Sequence, residues 1–245
     1  MQETPDRHSP SRGAELAVLA VAMLLPSLVT LVYFVWAADA ATGVQRQAYA
    51  VMKTVQFALP VAWVWYAVGS LPRPWPFSTS GTKAGLAFGS AVFLGAVLGF
   101  RYVLEPAGVF ESAIGPMQEK LLGLGLDSPA KFAAFALFCS TAHAFLEEYY
   151  WRWFVFGRMA KHVPLAAAVV VSSLGFMAHH VIVLAHYFGW ASPTTWVFSL
   201  CVAVGGVFWA WLYHKTGSLW GPWLSHVLVD AGIFAVGYWV CESAF

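Results

Sequence analysis

Seven apolar segments of membrane-spanning length make up most of the 245-residue sequence. They lie at roughly 15–38, 48–70, 83–104, 130–157, 164–187, 193–214 and 218–240. A helix needs about 20 apolar residues to cross a hydrocarbon core of ~30 Å. Because a backbone in lipid must satisfy its own hydrogen bonds, such long apolar runs indicate helices. The sequence therefore predicts an all-α, polytopic transmembrane helix bundle with about seven spanning helices.

The composition excludes other classes of protein. Only 10% of the residues are charged and 60% are hydrophobic, whereas an ordinary soluble domain carries about 25% charged residues. Disorder requires low hydrophobicity and high charge. A net charge of +1 without a basic stripe argues against a nucleic-acid partner. We therefore expect an integral, multi-pass membrane protein whose surroundings are the lipid bilayer.

The segments divide the chain into four parts. We expect a polar N-terminal tail at 1–14, transmembrane helices with an interfacial connection at 15–129, a helical core at 130–240 and a C-terminal tail at 241–245. The connection at 105–129 reads either as an amphipathic helix at the membrane interface or as a solvated loop.

Proline and glycine mark the predicted boundaries. The proline-rich stretch 71–76 predicts a stiff connector. Pro164 and Pro193 begin two segments, where proline is tolerated. A tight turn is expected at 216–218.

Lysine and arginine are distributed unevenly between the two sets of loops. One side carries Arg7, Arg12, Arg73, Lys83, Arg158, Lys161 and Lys215. The other side carries Arg46, Lys53, Arg101, Lys120 and Lys131. The positive-inside rule then predicts a cytoplasmic N-terminus, and we expect the membrane of a bacterial or archaeal cell.

Ionisable side chains inside apolar segments are the strongest functional signal. They are His143, Glu147, Glu148, Arg152, His179, His180, His186, His226 and Asp230. A charge at the centre of a membrane helix costs roughly 2.5–3.5 kcal/mol on insertion scales. These groups must therefore face the bundle interior and satisfy one another, which predicts a functional site.

The spacing of two pairs sharpens this prediction. Glu148 and Arg152 are i,i+4 and share a helix face. They form either a structural ion pair or part of the site, in which the charge of Arg152 keeps Glu148 ionised. The neighbouring Glu147 is then the candidate general base or acid, because two adjacent carboxylates in a low dielectric do not both ionise freely. His226 and Asp230 are also i,i+4, so the carboxylate can orient the imidazole, or the two form a structural pair.

Spacing alone does not indicate the roles of the histidines in the segment at 164–187. His180 follows Phe176 at i,i+4, and the two side chains share a helix face. His179 and His143 read either as core residues or as part of the site.

Three motifs resemble one family. Residues 145–152 read FLEEYYWR, which matches an EExxxR motif; residues 172–180 read SSLGFMAHH, similar to an FxxxH motif; residues 217–230 read GSLWGPWLSHVLVD, similar to HxxxN. In this order, inside predicted spanning helices, they resemble the CAAX protease and bacteriocin-processing (CPBP, or Abi) family. Its eukaryotic relatives are the Ras-converting prenyl endopeptidases. The resemblance covers roughly residues 130–235.

The resemblance implies a role for each motif residue. Glu147 and His180 would activate the attacking water, and His226 with position 230 would stabilise the oxyanion. The remaining motif residues, which would support the site, are Glu148, Arg152 and Phe176. Together these groups supply the activated water, general acid and oxyanion donor that peptide hydrolysis needs.

Position 230 departs from the family pattern, since it is Asp rather than the commoner Asn. A carboxylate cannot donate a hydrogen bond to an oxyanion unless it is protonated. Asp230 therefore either orients His226 or is neutral and donates itself.

The resemblance implies a metal-free, glutamate-dependent intramembrane endopeptidase without a cofactor. A zinc-dependent alternative would use Glu147, His180 and His226 as ligands, although HExxH is absent from the sequence. A non-proteolytic scaffold or immunity protein and a transporter are further alternatives. The partner would be a membrane-associated protein or peptide: a prenylated tail, a leader peptide or a C-terminal membrane anchor.

Overall fold

A computed structural model describes residues 10–37, 42–68 and 78–245, and this part of the chain forms eight helices and no strand. The helices are α1 Arg12–Trp36, α2 Thr42–Val68, α3 Thr82–Leu104, α4 Glu111–Gly123, α5 Pro129–Met159, α6 Leu165–Phe188, α7 Pro193–Thr216 and α8 Trp220–Ala244. The prediction of an all-α bundle is confirmed.

Six of these helices are long and apolar enough to cross a membrane: α1, α3, α5, α6, α7 and α8. The protein is therefore an integral, multi-pass membrane protein. The predicted segment 48–70 corresponds to α2, which is 27 residues long but is not among the six. Its first half carries Arg46 and Lys53, which lower its apolar character. The side of the membrane that the N-terminus faces stays a prediction.

The helix ends agree with the positions of proline and glycine in the sequence. Pro164 caps α6, Pro193 begins α7, and Gly217 ends α7 with a φ of 64°. The proline-rich stretch 71–76 lies outside the described residues. The 105–129 connection contains α4, whose apolar side packs against a buried cluster around Phe100. The side chains of α4 in this contact are Ile114, Met117 and Leu121.

Small residues bring α3 and α8 unusually close. A Cβ atom added to Gly85 would lie 2.3 Å from the carbonyl oxygen of Gly221, and one added to Gly89 would lie 2.8 Å from that of Ser225. Helices in membranes approach closely where such residues meet. Because Ser225 precedes His226, this contact sets the position of the third motif.

Helix α5 is not a regular α-helix along its length. Two π-helical stretches, Cys139–His143 and Tyr149–Phe156, flank a short α-helical stretch, Ala144–Glu148. Short π-helical stretches inside α-helices occur frequently at functional sites. They place Glu147 and Glu148 at the irregular centre of α5, with both side chains buried.

Candidate active site

Glu147 is the centre of a cluster of imidazoles that three helices bring together. Its carboxylate is buried, and the Oε1 atom lies 4.0 Å from Nε2 of His143 on α5 and 3.6 Å from Nε2 of His179 on α6. The Oε2 atom lies 3.8 Å from Nε2 of His226 on α8. These distances exceed those of direct hydrogen bonds but are short enough for strong electrostatic interaction between a carboxylate and an imidazole.

Glu148 forms the predicted pair with Arg152 and an additional contact. Its Oε1 atom lies 3.2 Å from Nη1 of Arg152, and both side chains are almost fully buried. The same oxygen lies 2.8 Å from Nδ1 of His226, which donates a hydrogen bond to it. Glu148 therefore links the arginine of the first motif to the histidine of the third.

Arg152 is enclosed by aromatic rings. Its guanidinium carbon lies 4.6 Å from the ring centre of Phe176 and 4.9 Å from that of Trp209. The negative faces of aromatic rings stabilise a cation. The carboxylate of Glu148 and these two rings together offset part of the desolvation of a buried guanidinium.

His226 is held on its face and at both ring nitrogens. Its ring stacks on Trp209 at 4.3 Å, and the indole Nε1 of Trp209 donates a 3.0 Å hydrogen bond to Ser225. Beyond the Nδ1 bond to Glu148, its Nε2 atom lies 3.5 Å from Oδ1 of Asp230. The sequence suggested Asp230 as the group that orients this imidazole, whereas the shorter contact comes from Glu148.

His180 has a defined orientation. Its Nδ1 atom lies 2.9 Å from the carbonyl oxygen of Phe176, one turn earlier on α6. A carbonyl oxygen only accepts, so Nδ1 carries the hydrogen and Nε2 of the neutral ring keeps its lone pair. The ring of His180 lies 4.1 Å from that of His179, between centres.

The structure adds residues that the sequence left open or did not name. His179 and His143 both reach Glu147, and their signals were adjacency to the second motif and i,i+4 spacing to Glu147. His179 also lies parallel to Trp151, with ring centres 5.9 Å apart. Trp209 had no detectable signal, because α7 carries none of the three motifs.

A zinc ion would need at least three ligand side chains grouped together. Within residues 10–37, 42–68 and 78–245, no three His, Cys, Asp or Glu side chains are grouped in a way that could hold a metal ion. The set of Glu147, His180 and His226 is thus not assembled as a ligand sphere, and the absence of a cofactor stays a prediction.

Four helices, α5 to α8, thus contribute side chains to a buried cluster of charged residues inside a multi-pass membrane protein. Residues 129–232 match a family model described as Rce1-like, type II CAAX prenyl endopeptidase. The match confirms the resemblance to the CAAX protease family over this part of the chain, which contains all three motifs. No curated protein and no solved structure matches the chain.

Proposed function

We propose that this protein is an intramembrane endopeptidase that hydrolyses a peptide bond near a membrane-anchored segment. The observation that carries the proposal is the position of Glu147, buried within 4.0 Å of imidazoles from three helices. The match of residues 129–232 to type II CAAX prenyl endopeptidases supports a peptide hydrolase.

In the proposed reaction, Glu147 and His180 activate a water molecule. Glu147 accepts one proton from the water while the oxygen forms a bond to the scissile carbonyl carbon, and the carbonyl electron pair moves onto oxygen. Collapse of this tetrahedral intermediate breaks the carbon–nitrogen bond, and the leaving nitrogen takes a proton from the same pair of groups. The free Nε2 atom of His180 suits it to this exchange.

His226 would stabilise the oxyanion of the intermediate. Its Nδ1 hydrogen is directed at Glu148, so a donor toward the substrate must come from a second proton on Nε2. A ring that carries both protons is cationic, and the nearby Glu148 balances its charge. A positioned donor of this kind typically contributes 10²–10³ in rate, about 2.7–4 kcal/mol.

Asp230 faces the same nitrogen of His226 that would meet the oxyanion. Because Glu148 already holds the opposite nitrogen, the orienting role does not require Asp230. We therefore assign Asp230 to a second role, in which its carboxylate lies beside the Nε2 atom of His226 and stabilises the cationic ring that donates to the oxyanion.

The substrate would be a peptide presented from the bilayer, and a lipidated tail is the class that the family description favours. Quantitative mass spectrometry of membranes from cells that express the wild type or Glu147→Gln tests both the activity and the substrate. We expect a shortened peptide only with the wild type. Identical peptide profiles, with both proteins folded and equally abundant, would contradict the proposal.

Metal analysis of the purified protein and treatment with a chelator distinguish the zinc-dependent alternative from the proposed metal-free reaction. The proposed metal-free reaction predicts no stoichiometric zinc and full activity after chelation. Loss of activity that zinc alone restores would favour the alternative. A transporter, in contrast, would give ion-coupled uptake and no cleavage products.

A further inference from the structure

A cavity of about 460 Å³ lies beside the end of α1. The end of α1, the start of α2, α4 and the end of α6 form its walls. Its lining includes Tyr33, Phe34, Gln45, Arg46, Lys120 and His186. His186 follows His180 by six residues, which corresponds to about 9 Å along a helix. None of the residues assigned to the candidate active site lines the cavity.

Two cations line the cavity without a carboxylate partner. Among the described residues, no ion pair involves Lys120 or Arg46. Glu119 also lines the cavity, but its side chain is exposed and is not paired with either cation. Partial burial lowers the pKa of Lys120 below its ordinary value. An anion in the cavity would thus supply the negatively charged partner that Lys120 lacks.

Aromatic rings position the ammonium group of Lys120. Its Nζ atom lies 3.9 Å from the ring centre of Tyr33 and 5.2 Å from that of Phe34. Such contacts hold a cation in place without neutralising its charge.

Hydrogen bonds fix the walls around these rings. The buried Gln45 donates a 2.8 Å hydrogen bond from Nε2 to the carbonyl oxygen of Tyr33 and so joins α2 to α1. The guanidinium of Arg46 donates to the carbonyl oxygen of Gly123 and joins α2 to α4. These two bonds hold the end of α1, the start of α2 and the end of α4 together around the cavity.

The location favours a ligand that is partly apolar. The cavity opens where the spanning helices α1 and α6 end, which is the level of the membrane–water boundary. Large apolar side chains beside it are exposed on the outer surface, namely Val35, Trp36 and Val44. Basic pockets between membrane helices bind anionic lipid headgroups, and this one lies at the end of α1 opposite its N-terminus, so it would take a lipid of that leaflet.

We propose that this cavity binds the phosphate headgroup of an anionic phospholipid. Lys120 and Arg46 contact the phosphate oxygens, and an acyl chain lies along Val35 and Trp36. A free phosphate ion would use the same two cations but would gain nothing from the apolar surface.

Native mass spectrometry of the purified full-length protein tests this proposal. The probes are phosphatidylglycerol and phosphatidylcholine with identical acyl chains. We expect the wild type to retain phosphatidylglycerol at least tenfold better than phosphatidylcholine, and Lys120→Gln/Arg46→Gln to lose this preference. The matched control, Arg101→Gln/Lys131→Gln, removes two exposed cations that are paired with Glu105 and Asp127. It should keep the preference.

The charge-conserving variant Lys120→Arg keeps the test decisive if the double variant does not fold. It should retain phosphatidylglycerol, and loss of the lipid from this folded variant would overturn the proposal. Equal retention by the wild type and the folded double variant would also overturn it. Thermal stabilisation by inorganic phosphate that equals stabilisation by phosphatidylglycerol would assign the cavity to a free anion instead.

Discussion

The Nδ1 atom of His226 lies 2.8 Å from Oε1 of Glu148, although the two residues are 78 positions apart in the sequence. This hydrogen bond joins α8 to the centre of α5 and fixes which nitrogen of His226 faces Glu147. The proposed oxyanion donor is thus positioned by the first motif, and Asp230 remains free for a different role.

The first prediction concerns Asp230→Asn. The substitution removes the carboxylate beside Nε2 of His226 but places an amide N–H, which is itself a hydrogen-bond donor, at the same position. We expect cleavage of a membrane-anchored peptide to stay within about tenfold of the wild type, since the amide donor offsets the loss of the carboxylate. A loss of more than about a hundredfold, the effect of a missing oxyanion donor, would show that the charge of Asp230 is required.

The buried Glu148–Arg152 pair should show strong energetic coupling. Removal of one partner leaves an uncompensated buried charge, which destabilises by about 3–5 kcal/mol. Glu148→Gln and Arg152→Gln should each have that effect on unfolding in detergent, and the double variant should be less destabilised than their sum.

The two single variants and the double variant form a double-mutant cycle. The exposed pair Arg101–Glu105 is a matched control for it, because this pair has the same i,i+4 spacing but is open to solvent. Its own cycle should give no measurable coupling. Additive effects at 148 and 152 would contradict the account of a mutually dependent buried pair.

His179 and His180 are adjacent, so substitutions there distinguish the motif histidine from its neighbour. His180→Asn keeps a donor for the carbonyl of Phe176 but removes the basic nitrogen. We expect kcat to fall by about 10²–10⁴-fold, the usual contribution of a general acid–base group. His179→Asn should have a smaller effect. A larger loss of kcat for His179→Asn than for His180→Asn would assign water activation to His179, whose Nε2 lies 3.6 Å from Glu147.

The sequence predicted the membrane class and the bundle because long apolar runs have few alternatives in lipid. It also predicted the pairing of Glu148 with Arg152, since i,i+4 spacing brings two side chains together within one helix. The segment at 48–70 showed the limit of this approach, because α2 forms a long helix that is not apolar enough to be counted among the spanning helices.

Contacts between helices could not be predicted in the same way. The bond from His226 to Glu148 depends on the close approach of α8, and stacking on Trp209 depends on α7. The π-helical stretches of α5 also rotate its side chains away from regular α-helical angles, and the sequence has no simple signal for them.

Glu147→Gln tests the central claim most directly. The substitution preserves the shape of the side chain but removes the carboxylate that would take a proton from water. Purified wild type, Glu147→Gln and the exposed control Glu242→Gln would be compared in cleavage of a membrane-anchored peptide, with thermal unfolding as a check of folding. We expect Glu147→Gln to be folded but at least about 10²-fold slower, and Glu242→Gln to match the wild type. Full cleavage by a well-folded Glu147→Gln protein would contradict the account.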